Sequence, residues 1–424
     1  MPLKASKKEK QMQTSNPDPA SCLPGKGKKA LMHAHTAYMV TQFNIDNIKI
    51  LQSLGYEVDV ACCWNDDDSA LSKEALEAAR KKLEDLGCEI IETASLRKIL
   101  DIGELSKAYK QLKKRIDTKK YAIVHTQSPI GGVICRLAAR NARKKFGTKV
   151  IYAAHGFHFF EGAPKKNWII YYNAEKFCAK FTDLLITINQ EDFKNASKKF
   201  KAGQVVYVPG AGVDIHKFAA AEDARERVRT ELGLEKDTVA LLSVGELIPR
   251  KNHVLVLDAL KTMKEQGLIN CEDKPKVCYF IAGRGKIEAE LKAAIEERGL
   301  SDTAKLLGFR RDVADVFAAS DIYVFPSHQE GLPVALMEAM SVGLPCVASK
   351  IRGNVDLISE GVGGVFFDSH DKDTLVEALE KMLSFSRSQW QEMGSVNMDT
   401  MQSFDKDTVN ASMRQLYEEI GNED

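Results

Sequence analysis

The chain has 424 residues, enough for two domains with separate cores. Hydrophobic residues make up 44%, charged residues 28%, and the net charge is +1, an ordinary soluble composition. No apolar run approaches the ~20 residues of a membrane span. The nine cysteines include no C-x-x-C pair and no Cys/His cluster at zinc spacing. A disulfide scaffold and a zinc module are therefore excluded, and a reducing cytoplasm is the expected compartment.

Residues 1–29 are rich in Lys, Ser, Pro and Gly and lack the apolar h-region of a signal peptide, which predicts a mobile tail. From Ala30 onward, short apolar runs alternate with helical patterns. The first cycle has strands at Ala30–Ala34, Val58–Cys63, Glu89–Ile91, Ala122–His125, Val150–Ala154 and Leu184–Ile188, with helix stops at Gly55, Gly87 and Gly147. Pro209, Gly210 and Gly212 then interrupt regular structure and predict a hinge. A second cycle follows, with strands at Val239–Val244, Val277–Ala282, Ala304–Leu307, Ile322–Phe325 and Cys346–Ser349. Residues 388–424 read as helices without a clear strand; whether they stay with the second domain or cross back to brace the first is left open by the sequence. The expected division is a tail at 1–29, a first domain at 30–205, a second at 206–387 and the final helices. Alternation of this kind predicts an α/β protein with two doubly wound parallel sheets facing across a cleft.

Charge is unevenly divided. Residues 1–205 carry 35 Lys+Arg against 22 Asp+Glu, and the remainder carries 25 against 37. A basic first half suits an anionic membrane surface or nucleic acid, or its charges are simply spread over solvated helix faces. No nucleic-acid reading module accompanies it, so nucleic acid is not an expected partner. The stretch Trp168-Ile169-Ile170-Tyr171-Tyr172 with Phe177 and Phe181, flanked by Lys165, Lys166, Lys176 and Lys180, fits a membrane interface or a core helix with solvated lysines. Asp66-Asp67-Asp68 reads as a solvated turn, and no metal site is expected.

Ligands bind at the carboxyl ends of strands in such sheets, and the informative motifs all lie there. After Ile322–Phe325 come Glu330 and, eight residues later, Glu338 in the opening turns of a helix. Between them the N–H groups of Leu332, Val334 and Ala335, next to Gly331, are orphan donors suited to phosphate oxygens. Glu338 suits a ribose diol and Glu330 a sugar. Arg250 and Lys251, following Val239–Val244, suit a diphosphate. Gly283 and Gly285 permit close backbone approach to a ligand, although the third glycine of a dinucleotide fingerprint is absent. Phe309 and Arg310 flank a nucleobase position, or Phe309 is core. In the first half, His155 ends its strand before a glycine and faces the cleft, with His158 close behind. His35 and Thr36 end the first strand on the acceptor side.

The run from Glu330 to Met340 resembles the E-x7-E motif of the retaining, metal-independent glycosyltransferases with two Rossmann-like domains, the GT-B type. The stretch from His155 to Asn189, followed by Glu191, resembles the bacterial subgroup that builds exopolysaccharide, capsule or lipid-linked glycans. That resemblance implies a UDP-sugar donor of the hexose or N-acetylhexosamine class and no cofactor or metal. It also implies a sugar acceptor carried on a lipid such as undecaprenyl diphosphate, at the inner face of the cell membrane. It assigns Lys251 and Arg250 to the diphosphate, Glu338 to the ribose, Glu330 to the transferred sugar and His155 to a sugar hydroxyl at the reacting centre. Family members often carry Arg after the glycine of Val244-Gly245, where this chain has Glu246. Three alternatives stand beside this reading: a nucleotide-sugar epimerase of the same architecture, a non-catalytic glycosyltransferase-like subunit, and an NAD-dependent oxidoreductase, which lacks its full glycine fingerprint.

Overall fold

The computed structural model describes residues 23–64, 72–94, 101–218 and 220–423. Most of the expected tail and the Asp66–Asp68 run lie outside them. Residues 23–29 are ordered against the first domain, with Gly25 N–H donating to the Leu54 carbonyl and β1 starting at Lys29.

The first sheet contains β1 (Lys29–Thr36), β2 (Glu57–Cys63), β3 (Glu89–Glu92), β4 (Ile123–Gln127), β5 (Lys149–Ala154), β6 (Leu184–Thr187) and β7 (Gln204–Tyr207). The second contains β8 (Val239–Val244), β9 (Val277–Ala282), β10 (Ala304–Gly308), β11 (Ile322–Phe325), β12 (Cys346–Ser349) and β13 (Gly364–Phe367). Strand order is β3-β2-β1-β4-β5-β6-β7 in one and β10-β9-β8-β11-β12-β13 in the other, with every pairing parallel. This is the two-domain α/β architecture expected. The order reverses at β1/β4 and at β8/β11, which places a ligand crevice at each reversal.

Helices cover both faces of each sheet, so the central strands are buried, whereas the edge strands β3, β7 and β10 are partly exposed. All five residues of β4 and all four of β11 are buried. Neighbouring residues serve opposite faces, as a period of two requires. Leu241 and Val324 join the layer formed with Leu257 and Leu260, whereas Leu242 and Phe325 join the layer formed with Leu336 and Met340. Asn189 caps the helix Gln190–Lys199 by accepting from Asp192 N–H, and Ser386 with Gln389 forms a capping box for Arg387–Gln402.

Three expectations change. The expected boundary between residues 205 and 206 falls inside β7, which pairs with β6 and stays in the first sheet. The first strand, expected at Ala30–Ala34, runs on to Thr36, and His33 is fully buried on Thr126. β13 was not anticipated, because Gly364 shortens its apolar run and Gly363 breaks the pattern before it.

The chain crosses between domains twice, side by side. Val213 N–H donates to the Phe404 carbonyl, and Lys406 N–H donates back to Val213. Gly212, at φ +73°, lies so close that a Cβ there would meet Lys406 Cα at 2.7 Å. The final helix, Lys406–Asn422, returns to the first domain, where Val409, Met413, Tyr417 and Ile420 enter the core beside Ile48 and Leu51. The Tyr417 hydroxyl sits 2.7 Å from His125 Nδ1.

Candidate functional site

The turn Pro249–Lys251 follows β8 and is laced to the loop after β11. Asn252, in the left-handed region at φ +57°, donates through Nδ2 to the carbonyls of Pro326 and Ser369. His328 N–H donates to the Arg250 carbonyl. These bonds place Arg250 Nη1 2.7 Å and Lys251 Nζ 2.9 Å from the same Glu330 oxygen. Lys251 also lies over the Phe325 ring at 4.8 Å. Two cations on one carboxylate leave an excess positive charge beside the helix Val334–Ser341, whose N-cap is Pro333 and has no side-chain cap. The first N–H groups of that helix, from Val334 and Ala335, therefore present positive dipole ends beside the cations. The cluster is built to receive an anion.

Glu338, five residues into this helix, has a different environment. Burial pushes its carboxyl up to about 7, opposed by the charge of Lys217. Glu338 and Lys217 line an interdomain cavity of about 500 Å³ with His125, Gln127, His155 and Val334. Glu330 and Gln329 instead line a larger cavity of about 1050 Å³. His155 and Glu330 thus open onto different cavities, and Gly331 stands between them. A Cβ on Gly331 would lie 2.3 Å from the His155 carbonyl oxygen. Gly156, at φ +113°, would meet Gly331 Cα at 3.1 Å. Glycine is needed on both sides of this contact. Gly331→Ala is expected to leave both sheets folded and lower kcat by about 10²-fold, because a misplacement of about 1 Å at a reacting centre has that cost. A circular-dichroism melt with steady-state rates checks it, and full activity would mean that closure at Gly331 is not needed.

His155 is held by a chain of amides. Asn44 Nδ2 donates to the Met39 carbonyl, so Asn44 Oδ1 accepts from Gln127 Nε2. Gln127 Oε1 then faces His155 Nε2 at 2.6 Å. His155 consequently carries its proton on Nε2 and presents Nδ1 as an acceptor. Burial pulls the imidazole down to about 4, so it is neutral at pH 7. Phe43 packs on the ring at 5.8 Å.

Other predicted positions have structural reasons for their identity. A Cβ on Gly283 would lie 1.8 Å from the Gly245 carbonyl oxygen, so the close approach is to the neighbouring loop and not to a ligand. The Arg310 guanidinium is occupied by Glu231 and Asp312 at 2.6 Å each, which leaves its backbone for a ligand. Phe309 is 59% exposed with Arg284 over its ring, so it is not core. Thr36 caps the helix Ala37–Phe43 by accepting from Met39 N–H, and His35 is half-buried before it. The His158 ring packs at a tilt against Tyr171, with centroids 4.6 Å apart. Leu332 is largely buried, its side chain near Gly210. Glu246 is exposed, and its charge, after burial, helps raise the Tyr38 phenol of the first domain.

Arg352, Asp192 and Gln127 were missed. Arg352 Nη1 donates at 2.9 Å to both Asp192 Oδ1 and the Phe157 carbonyl, and its Nε reaches the Glu330 carbonyl at 3.2 Å. Asp192 also accepts from Phe157 N–H and Asn189 Nδ2. This buried pair spans the domains and ties the loop after His155 to the loop of Glu330. Arg352→Ala leaves the Asp192 carboxylate buried without its cation and is expected to cost about 3–5 kcal/mol in urea unfolding. A change under about 1 kcal/mol would show the pair to be dispensable. The strand-end rule that found the other motifs would have found Gln127 and Arg352, which end β4 and follow β12.

Residues 29–189 match the family described as Glycosyl transferase 4-like, and residues 224–394 match Glycosyl transferases group 1. The chain is 33% identical over 357 residues to the putative glycosyltransferase EpsD of Bacillus subtilis (strain 168), covering 84% of this chain and 87% of that one. It is 34% identical over 287 residues to the UDP-Gal:alpha-D-GlcNAc-diphosphoundecaprenol alpha-1,3-galactosyltransferase of Escherichia coli, covering 67% and 71%. The crystal structure of HepE from Anabaena in complex with UDP and glucose matches with a TM-score of 0.70 at 20% identity, over 92% of this chain and 100% of that one, a likeness of fold.

Proposed function

Because the chain belongs to the group 1 glycosyltransferases and has the GT-B fold, we propose that it moves a hexose or N-acetylhexosamine from a UDP-sugar to a lipid-linked sugar acceptor, with retention and without a metal. The observation that carries this reading is the Arg250–Lys251–Glu330 cluster beside the free start of the helix Val334–Ser341. The donor diphosphate takes the two cations and the N–H groups of Leu332, Val334 and Ala335, and the ribose diol donates to Glu338. The bond from the anomeric carbon to the diphosphate oxygen breaks, and the cations stabilise the charge that develops on that oxygen. The acceptor hydroxyl attacks from the same face and gives its proton to the departing phosphate oxygen. His155, neutral and oriented by Gln127, accepts from a sugar hydroxyl at Nδ1 and transfers no proton in the reaction. Glu330 turns from the cations to the hydroxyls of the transferred sugar.

Similarity to the galactosyltransferase that acts on a diphosphoundecaprenol-linked sugar supports an acceptor of that class, for example one on undecaprenyl diphosphate. Among the described residues no helix is long and apolar enough to cross a membrane. We place the protein peripherally, on the inner face of the cell membrane against anionic lipid. A panel of UDP- and GDP-sugars is screened by thermal shift, since a ligand of the folded state raises its Tm. The stabilising donor is then incubated, with chelator, with and without a lipid-diphosphate-linked sugar, and the product anomer is read by NMR. An α-linked product from an α-donor is expected. Interconversion of the donor without acceptor would instead indicate an epimerase, and binding without turnover a non-catalytic subunit.

A further inference from the structure

The helix Lys165–Cys178 follows the loop Phe160–Gly162, which lines the mouth of the 1050 Å³ cavity beside Glu330. Its inner side is fully used. Trp168, Tyr171 and Tyr172 pack with Phe159 and Phe200, and the helix's one acid, Glu175, is buried on Arg136 and on the Tyr152 hydroxyl. Its outer side repeats at helical spacing and consists of Lys165, Lys166, Ile169, Ile170, Asn173, Lys176 and Phe177, continued by Lys180. Ile169 is 68% exposed, Ile170 52% and Phe177 50%. Lys180 lies over the Phe177 ring, and Phe181 meets that ring edge-on.

We infer that this outer face docks on an anionic lipid bilayer, with Ile169, Ile170 and Phe177 entering the acyl boundary and Lys165, Lys166, Lys176 and Lys180 contacting the headgroups. Three large apolar side chains held out of the core, framed by four cations with no acid among the exposed positions of the helix, form a face with both terms of interfacial binding. A protein partner of similar chemistry would favour a mixed-charge face, and the outer face of this helix carries cations alone; the exposed acid nearest in sequence, Glu161, belongs to the loop before it. The sequence allowed a membrane helix or a core helix; the structure divides the two between its faces. Docking here brings the loop 160–162, and with it the cavity mouth, to the bilayer. That purpose rests on the lipid-linked acceptor proposed above, but the docking itself does not.

The test uses the full chain in sedimentation with vesicles of phosphatidylcholine alone or with 30% phosphatidylglycerol. Wild-type protein is expected to bind only the anionic vesicles and to be released by salt. Ile169→Ser/Ile170→Ser/Phe177→Ser is expected to abolish binding. Lys165→Gln/Lys166→Gln/Lys176→Gln/Lys180→Gln is expected to lower partitioning at least about 10²-fold, since each cation contributes about fivefold. All seven positions are solvent-facing, and an unchanged Tm confirms that the variants fold. Equal partitioning of wild type and variants would overturn the inference, as would self-association of the wild type that the serine variant abolishes, which would assign the face to a second copy. Turnover of a detergent-solubilised acceptor is measured in parallel. Vesicle binding without any lipid-linked acceptor activity would sink the acceptor reading alone. Activity without vesicle binding would sink the docking face alone.

Discussion

Lys251→Ala is expected to lower kcat/KM by about 10²–10³-fold, the usual consequence of removing one preorganised group aimed at developing charge. The leaving diphosphate gains charge in a cleft where the Lys251 side chain is only 13% exposed, so water cannot replace the lost cation. Folding should be little affected, because Glu330 keeps Arg250 at 2.7 Å. The counterpart is Glu330→Gln, which releases both cations from their carboxylate. Its affinity for UDP alone should be equal to or greater than that of the parent, while turnover falls because the sugar loses its acceptor. Titration calorimetry with UDP separates the two variants. If Lys251→Ala bound UDP as tightly as the parent and turned over normally, the leaving-group role would belong elsewhere.

The second large effect concerns Glu338. Its folded-state carboxyl titrates near 7, well above the ordinary carboxylate range, because burial disfavours the charge. A ribose diol donating two hydrogen bonds needs the ionised form. UDP affinity should therefore rise about tenfold from pH 6 to pH 8, following the ionised fraction of a group titrating near 7. The effect on stability has the opposite sign. Between the unfolded value near 4.5 and the folded value near 7, the native state binds more protons than the unfolded state, so stability falls as pH rises through that window and is level above it. Glu338→Gln removes that loss. Its Tm should match the parent near pH 5 and exceed it at pH 8, while UDP affinity falls by about tenfold or more and becomes independent of pH. A parent UDP affinity that is flat across this range would disconnect Glu338 from the ribose.

The two predictions treat the glutamates of one motif differently, and the tertiary structure supplies the reason. Their spacing and their strand–turn–helix setting were legible from local chemistry. So was the pairing of Arg250 and Lys251 with the same crevice, because both follow strands that a parallel sheet sets side by side. What spacing cannot convey is the dielectric surrounding each carboxyl. Glu330 lies between two cations, whereas Glu338 faces one more distant cation from a half-buried helix flank. His155 was legible as a strand-end residue before a glycine. Its tautomer was not, since that depends on Gln127 and Asn44, which are remote in sequence and join it only when β4 and the segment after the first helix converge. Gly283 shows the reverse error: a glycine at a strand end suggested a ligand, and the neighbouring loop proved to be what approaches it.

The amino-acid sequence by itself determined the alternation of strand and helix, the two parallel sheets and the strand-end location of the charged residues, because hydrophobic period and turn chemistry act over a few residues. Only the tertiary structure decided how the halves meet. The Arg352–Asp192 pair, the Gly156–Gly331 contact and the return of the final helix to the first domain each join residues more than 150 positions apart. No local pattern encodes such a contact, because each residue's energy depends on a partner that folding alone brings near.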